Sequence, residues 1–481
     1  MKDTRFLLYA FLFLLLSACS GKDPVPTPEP DKPDVPVTEW YVSPDGNDQW
    51  PGTAEQPFRT LAQALTKAGA GKTVYLKNGT WKESAVLQAS GSASQPFVLA
   101  AAPGQTPVLD GGNGTGFTQE WRDYALVFNF NEHGTMEAPG ALLQLDGASH
   151  VVIRGITFTG SRGSGIFCGK GASGITVENC TVTDCLGPGI CFGADGTASS
   201  SITVRGNIVK NCAQRSREAI SLRTVDGFEV AENRVEKVIK ESIDAKSGCR
   251  NGSIHHNTIV SSGHCAIYLD AGYANTPVEE NIEVYCNEIR DPLGTGICVS
   301  SEQGNAAAHI RIYNNLVYTP LRFAGNNPHI GNGAGIKVGV GATDTSGCIS
   351  DVTIYQNTVI GTHQQGIYVN YPNVQNIVIA NNISGWNDVD QAGIRKDNGP
   401  EPAQVKLIRN LLFGKVQADA GEDAILKNPN LSDPYKGNLK LTTDSPAVDA
   451  ADERYTAKTD FAGRERPSGK ASDIGAYELV L

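Results

Sequence analysis

Three charged residues follow one another at near-equal intervals: Arg223, Lys246 and Asp270 stand 23 and 24 residues apart. Glu218 precedes them, Glu241 and Asp244 lie between Arg223 and Lys246, and Glu302 follows. Gathered on one surface, this set suits β-elimination on a uronic-acid polysaccharide. That reaction needs a base for the proton on the carbon next to the carboxylate, and positive charge to stabilise the developing enolate. Lys246 is the candidate base, its pKa expected to be pushed down by Arg223 beside it. Arg223 is the candidate charge stabiliser. Glu218, Glu241 and Asp244, with help from Asp270, offer the oxygens that Ca²⁺ takes at about 2.4 Å; such an ion would grip the substrate carboxylate. A second chemistry makes Asp270 and Glu302 the two carboxylates of a retaining glycosidase, which must sit about 5.5 Å apart. A third is sugar binding without catalysis, by stacking on Tyr268, Tyr273, Tyr368, Tyr371 and Trp386. Tyr268, Lys337, Tyr368 and Asn370 are the candidate substrate contacts. The plain alternative is a set of surface ion pairs of little energetic worth. His264 and His329 read as loop residues.

The elements that must position these groups are visible as an internal repeat. An apolar–x–apolar pair, one residue, then Asn–x–(Val/Ile/Leu) recurs from ITVRGNIV to VKLIRNLL. The equivalent asparagines are Asn207, Asn233, Asn257, Asn287, Asn315, Asn357, Asn382 and Asn410, with Cys180 one turn ahead of them. In step runs a second column led by Ile166, Ile190, Ile220, Ile243, Ile267, Ile297, Ile336 and Ile367, each followed two residues later by another small or apolar residue. Strand side chains alternate faces, so positions 0 and +2 point inward while +1 and +3 point outward. Arg223, Lys246 and Asp270 are all +3 residues; Gly169 and Gly193 hold that place in the first coils. Short strands in two columns at a period near 25 mean stacked coils. The expected fold is all-β: a right-handed parallel β-helix of about ten coils, running from near residue 95 to 415. FRTLAQALTKAG, with Leu61, Ala64, Leu65 and Ala68 at helical spacing, is expected to cap its front end.

Both ends resemble bacterial β-helix carbohydrate-active proteins of the Bacteroidetes lipoprotein type. The resemblance rests on YVSPDGNDQWPGTAEQPFRTL with TVYLKNGTW at the front and SPAVDA…DFAGRERPSGKASDIGAYEL at the back. Within the coils, ESIDAKSGCRN is similar to the Glu-x₄-Lys-Ser segment of β-helix polysaccharide lyases of families six and nine. That resemblance implies a lysine base, here Lys246, with Glu241 beside it and Ca²⁺ as the usual cofactor. The next coil departs from family six, with Tyr-Leu-Asp-Ala-Gly where that family has an Arg-His-Gly strand.

The remaining chain gives an address. Lys2 and Arg5 precede an apolar run, Phe6 to Leu16, too short to span a bilayer and suited to a signal peptide. Leu16-Ser17-Ala18-Cys19 resembles a lipobox, which implies lipidation at Cys19 and anchoring in the cell envelope, at the outer membrane of a Gram-negative bacterium. The expected organisation is a signal peptide over 1–18, a Pro-rich linker over 19–38, the β-helix over 39–419 and a turn-rich capping segment over 420–481. Forty basic against 51 acidic residues give a net charge of −11, which argues against a nucleic-acid partner. The expected partners are a polysaccharide and, through the lipid, a membrane, with the protein itself a monomer. The ten cysteines after Cys19 show no metal-site spacing and read mostly as packed thiols.

Overall fold

The computed structural model describes residues 38–480 apart from 113–140, 194–196, 215–217, 273–274, 320–332, 340–343, 388–392, 398–401 and 415–419. Cys19, Tyr273 and His329 lie outside the described residues. The chain winds as a parallel β-solenoid with three walls of 13, 12 and 11 strands. Every pairing between coils is parallel and without slip along most of the length. Ile220, Ile243, Ile267, Ile297 and Ile336, for example, stand in one line across five rungs.

The sequence pattern predicts two strand columns, and the fold has three. The Asn motif is itself two strands divided by a corner. In each coil a residue of left-handed conformation precedes the asparagine: Gly206 (φ 64), Glu232 (φ 59), His256 (φ 54), Cys286 (φ 53), Asn314 (φ 53), Gln356 (φ 51), Asn381 (φ 55) and Arg409 (φ 50). That conformation turns the chain sharply and costs an ordinary L-residue about 1 kcal/mol or more. The next residue offsets the cost. Asn257, one of the buried eight, donates from its backbone N–H to Asn287 Oδ1 at 3.1 Å. Its Nδ2 donates to the same oxygen at 2.9 Å and to Val230 O of the preceding coil at 2.9 Å. The pattern repeats from Asn207 to Asn410, and Cys180 enters it through its backbone N–H, which donates to Asn207 Oδ1 at 2.9 Å. The interior is filled by the inward isoleucines, valines and leucines, almost all fully buried.

Strands begin at Glu39–Val42, earlier than the repeat suggests. The front helix is one turn, Leu61–Leu65, started by Thr60 and burying Leu61, Ala64 and Leu65. The ten cysteines described are free thiols, nine of them buried. Residues 420–426 add bridges to the last coil, at Ile408–Glu422 and Leu411–Ile425. The chain then runs back lengthwise along the solenoid instead of ending on top of it. Asn381 binds Asp452 and Tyr455, Gln356 binds Asp473, and Asn314 binds Thr459, so the asparagine corners are clasped from outside. A buried Arg466–Glu478 pair at 2.9 Å fixes the clasp.

Removing one rung of the ladder tests this account. Asn287→Ala leaves the two donors of Asn257 without their acceptor, each worth about 1–3 kcal/mol when buried. The variant should lose roughly 2–5 kcal/mol in urea denaturation, whereas Gln375→Ala on an exposed strand position should stay within about 0.5 kcal/mol of wild type. Equal effects would refute the ladder's role.

Candidate active site

The site sits on the 11-stranded wall. Strands Ile220–Arg223, Ile243–Lys246 and Ile267–Asp270 lie side by side. Arg223 pairs with Lys246, and Lys246 with Asp270. Each strand ends in a turn just after the +3 residue: Thr224 (φ 53), Ser247 (φ 53) with Gly248 (φ 90), and Gly272 (φ 60). At Gly248 a Cβ would meet Pro277 O at 2.7 Å, so the turn behind Lys246 excludes any larger residue. These turns leave the three charged side chains at the strand ends, facing a cleft of about 240 Å³. Glu218 and Glu302 line the same cleft, with Phe192 and Ser221. All four predicted catalytic residues therefore meet in one cavity.

Lys246 is the centre of the charge pattern. Its Nζ lies 2.5 Å from Glu218 Oε1 and 2.7 Å from Asp244 Oδ2, and the side chain is 21% exposed. Burial works against its charge, yet Asp244 and Glu218 together hold its pKa well above the ordinary lysine range. The expectation that Arg223 lowers it is thus overturned: two carboxylates in contact outweigh one guanidinium a rung away. Glu218 also accepts a hydrogen bond from Ser221 Oγ at 2.8 Å. Burial pushes the Asp244 carboxyl well up, helped by Glu218, Asp270 and Glu241 and opposed by Lys246. Burial, then the charge of Glu302, pushes Asp270 up to about 7 against the pull of Lys246.

Several expectations are corrected. Tyr268 is 4% exposed and donates its hydroxyl to Glu302 Oε1 at 2.5 Å, so it is floor, with no open face for a sugar. Asp244, also a +1 residue, is 1% exposed. Outward side chains at about 4.8 Å rung spacing bury one another where the rungs carry large groups. Tyr371 is 1% exposed, its hydroxyl directed at Ser301 and Gly347. Trp386 packs against Phe413, away from this wall. Asn370 turns its amide to the carbonyls of Val338 and Gly339 at 3.3 and 3.1 Å, which secures a turn. Lys337 and Tyr368 stay partly exposed on the same wall.

His264 lies in a loop as expected, but it has a partner there: its Nδ1 lies 2.6 Å from Glu241 Oε1. Burial alone would raise Glu241, but the hydrogen bond and charge of His264, with Lys240 and Lys246, bring it down to about 2. Glu279 is not among the residues the sequence singles out. It is fully buried, receives Gly248 N–H at 3.3 Å, and its carboxyl is raised well above the usual range by burial, Asp270 and Asp244. A signal existed: its rung mates are Ala307, Ile349 and Val374, an apolar column broken by one acid.

Glu218, Glu241 and Asp244 do not converge as cation ligands. Lys246 occupies the space between Glu218 and Asp244, and Glu241 is committed to His264. Among the described residues no group of three His, Cys, Asp or Glu side chains is arranged to hold a metal ion. Among the described residues, these three carboxylates do not form a calcium site.

Comparison with known proteins supports the β-helix fold. Residues 40–264 match the Pel9A-like right-handed β-helix region. The matched part contains Arg223, Asp244 and Lys246, and ends before Asp270. A stretch of 81 residues is 41% identical to pectate lyase PEL9 of Emericella nidulans, which amounts to 16% of this chain and 20% of that protein. The chain thus aligns with only a fifth of that relative's length. The crystal structure of pectate lyase Pel9A superposes with a TM-score of 0.50 at 14% identity, over 92% of this chain and 96% of that one. XylC in complex with xylose superposes with a TM-score of 0.51 at 11% identity, over 92% and 98%. The expected resemblance to β-helix polysaccharide lyases is borne out. The two solved structures agree on the fold alone, so the chemistry has to come from the side chains.

The raised carboxyl of Asp270 has a measurable consequence. The unfolded chain releases this proton near pH 4 and the folded protein near 7, so stability falls between those values and the loss persists above them. Asp270→Asn keeps the acceptor for Gly272 N–H and removes the penalty. The variant should be up to about 4 kcal/mol more stable than wild type at pH 8, with the difference vanishing near pH 4. A pH series of denaturation midpoints checks both limits.

Proposed function

We propose that this protein is a lyase that cleaves a uronic-acid-containing polysaccharide by β-elimination. The observation that carries the reading is the alignment of Arg223, Lys246 and Asp270 on three consecutive rungs of one cleft. Support comes from the Pel9A-like match across the lysine-bearing rung. In this reading the guanidinium of Arg223 binds the sugar carboxylate and stabilises the enolate charge. Lys246 removes the proton on the carbon beside the carboxylate. That electron pair forms a carbon–carbon double bond, the glycosidic C–O bond breaks, and the leaving oxygen takes a proton from solvent at the cleft mouth. Before Lys246 accepts a proton it must give one up, and Asp244 at 2.7 Å, raised by burial, is placed to receive it. Substrate that displaces water lowers the local dielectric and favours the neutral Lys–Asp pair over the ion pair. No step runs through a metal ion.

One observation favours a second reading. Asp270, held near 7 beside Glu302, has the character of a glycosidase acid. The products separate the two. A lyase yields unsaturated uronate ends with ultraviolet absorbance; a hydrolase yields reducing ends without it. On a panel of pectate, alginate and glycosaminoglycans, wild type should produce the absorbance and Lys246→Ala should cut kcat by about 10²–10⁴-fold. Because Glu218 helps hold the proton on Lys246, Glu218→Gln should move the rising alkaline limb of the rate to lower pH. Full activity in Lys246→Ala would exclude the lysine base, and a limb centred near pH 7 that vanishes in Asp270→Asn would point to the hydrolase.

We also propose that the protein acts at the cell envelope, anchored through lipid on Cys19 with residues 20–38 as its tether. Cys19→Ala should shift it from the membrane fraction to the soluble fraction.

A further inference from the structure

The cleft itself is poorly equipped to hold a polyanion. Of its two lining cations, Lys246 is already matched by Glu218 and Asp244, and Arg223 faces a wall that also carries Asp270 and Glu302. Beyond the one carboxylate that Arg223 can take, a polymer of acidic sugars would gain little net attraction there, so added affinity for a long chain has to come from elsewhere on the same wall.

Such a place exists farther along. Cys298, Lys337, Tyr368 and Arg395 form one continuous line of +1 residues on successive rungs. Lys337 Nζ lies 5.6 Å from the Tyr368 ring centre, and the Arg395 guanidinium lies 5.8 Å from it on the following rung. Asp397 fixes the group: it accepts the Tyr368 hydroxyl at 2.9 Å and pairs with Arg395 at 2.6 Å. Arg395 remains 41% exposed, and Lys337 and Tyr368 are partly exposed. Two cations flank one aromatic ring, with a single carboxylate holding the assembly in shape. An acidic sugar matches this chemistry, with its carboxylate on the cations and its apolar face against the ring. At about 4.8 Å per rung, Lys337 is about 14 Å along the axis from Lys246, a gap that a few sugar units of one chain would bridge.

We propose that Lys337, Tyr368 and Arg395 form a remote subsite for an acidic sugar of the same polymer whose cleavage point lies over Lys246, so that the protein favours long acidic chains over short ones. The proposal rests on the uronate reading above. It lies outside the segment matched to the Pel9A-like region and deepens that reading by assigning a length-sensing contact.

The test uses the double variant Lys337→Met/Arg395→Met, which keeps an unbranched apolar stem and removes both charges. Affinity electrophoresis in gels carrying polygalacturonate, alginate or neutral xylan reads binding without turnover. The variant is expected to bind the acidic polymer that wild type binds about tenfold more weakly, and to treat xylan as wild type does. On the same acidic glycan, KM should rise about tenfold for polymer and stay unchanged for a trisaccharide, with kcat unchanged in both. Wild-type binding of acidic polymer by the variant, or an equal loss on xylan, overturns the subsite. Charge-dependent binding that disappears in the variant, without any unsaturated product from wild type, upholds the subsite and sinks the lyase reading instead.

Discussion

The rest of the molecule depends on the corner at which each coil turns from its first wall to its second. A left-handed residue makes the turn and a buried asparagine secures it, bonding at once to the coil before and the coil after. Because each asparagine accepts from one neighbour and donates to the other, a slip of one residue at any coil would break bonds on both sides. A one-residue slip would also turn every inward isoleucine out to solvent. Register is therefore held twice, by polar bonds at the corner and by apolar packing along the strands. The C-terminal run adds a third restraint by clasping the corners lengthwise. Residues two dozen apart in sequence become neighbours only because this register holds over many coils.

The same rigidity sets the electrostatics. Rungs at about 4.8 Å put like-placed side chains in contact, so the charge on one coil answers to the charge on the next. Lys246 shows the effect. Its two carboxylate partners come from its own strand and from the coil before, and they determine its proton affinity more than Arg223 does. A buried ion group of this kind adds little to stability once its desolvation is counted, and losing one member is costly. Glu241 and His264, and Glu279 behind Gly248, surround the group with further acid and base groups that lie near the cleft.

Much of this was legible in the sequence. The asparagine column and the isoleucine column gave the coil, its period and the rung neighbours Arg223, Lys246 and Asp270. Less legible was anything set by side-chain length and crowding. Alternation places Tyr268 and Asp244 outward, and only packing reveals that the outward floor is buried. The third wall was hidden because Asn–x–Val is too short to read as a strand by itself. The pairing of His264 was hidden because its partner, Glu241, is 23 residues away and one rung back. The path of the C-terminal run carries no periodic signal at all. It is fixed by individual bonds such as Asn314 to Thr459, 145 residues apart.

With Lys246 as base, a uronate carboxylate settles on Arg223 and the carbon beside it turns toward Lys246. The most direct measurement is a crystal structure of the Lys246→Ala variant soaked with trigalacturonate or an alginate trisaccharide. The expected result is a carboxylate within hydrogen-bonding distance of the Arg223 guanidinium, with the adjacent C–H directed at the space vacated by the lysine. A sugar bound with its glycosidic oxygen between Asp270 and Glu302 and no carboxylate near Arg223 would contradict it.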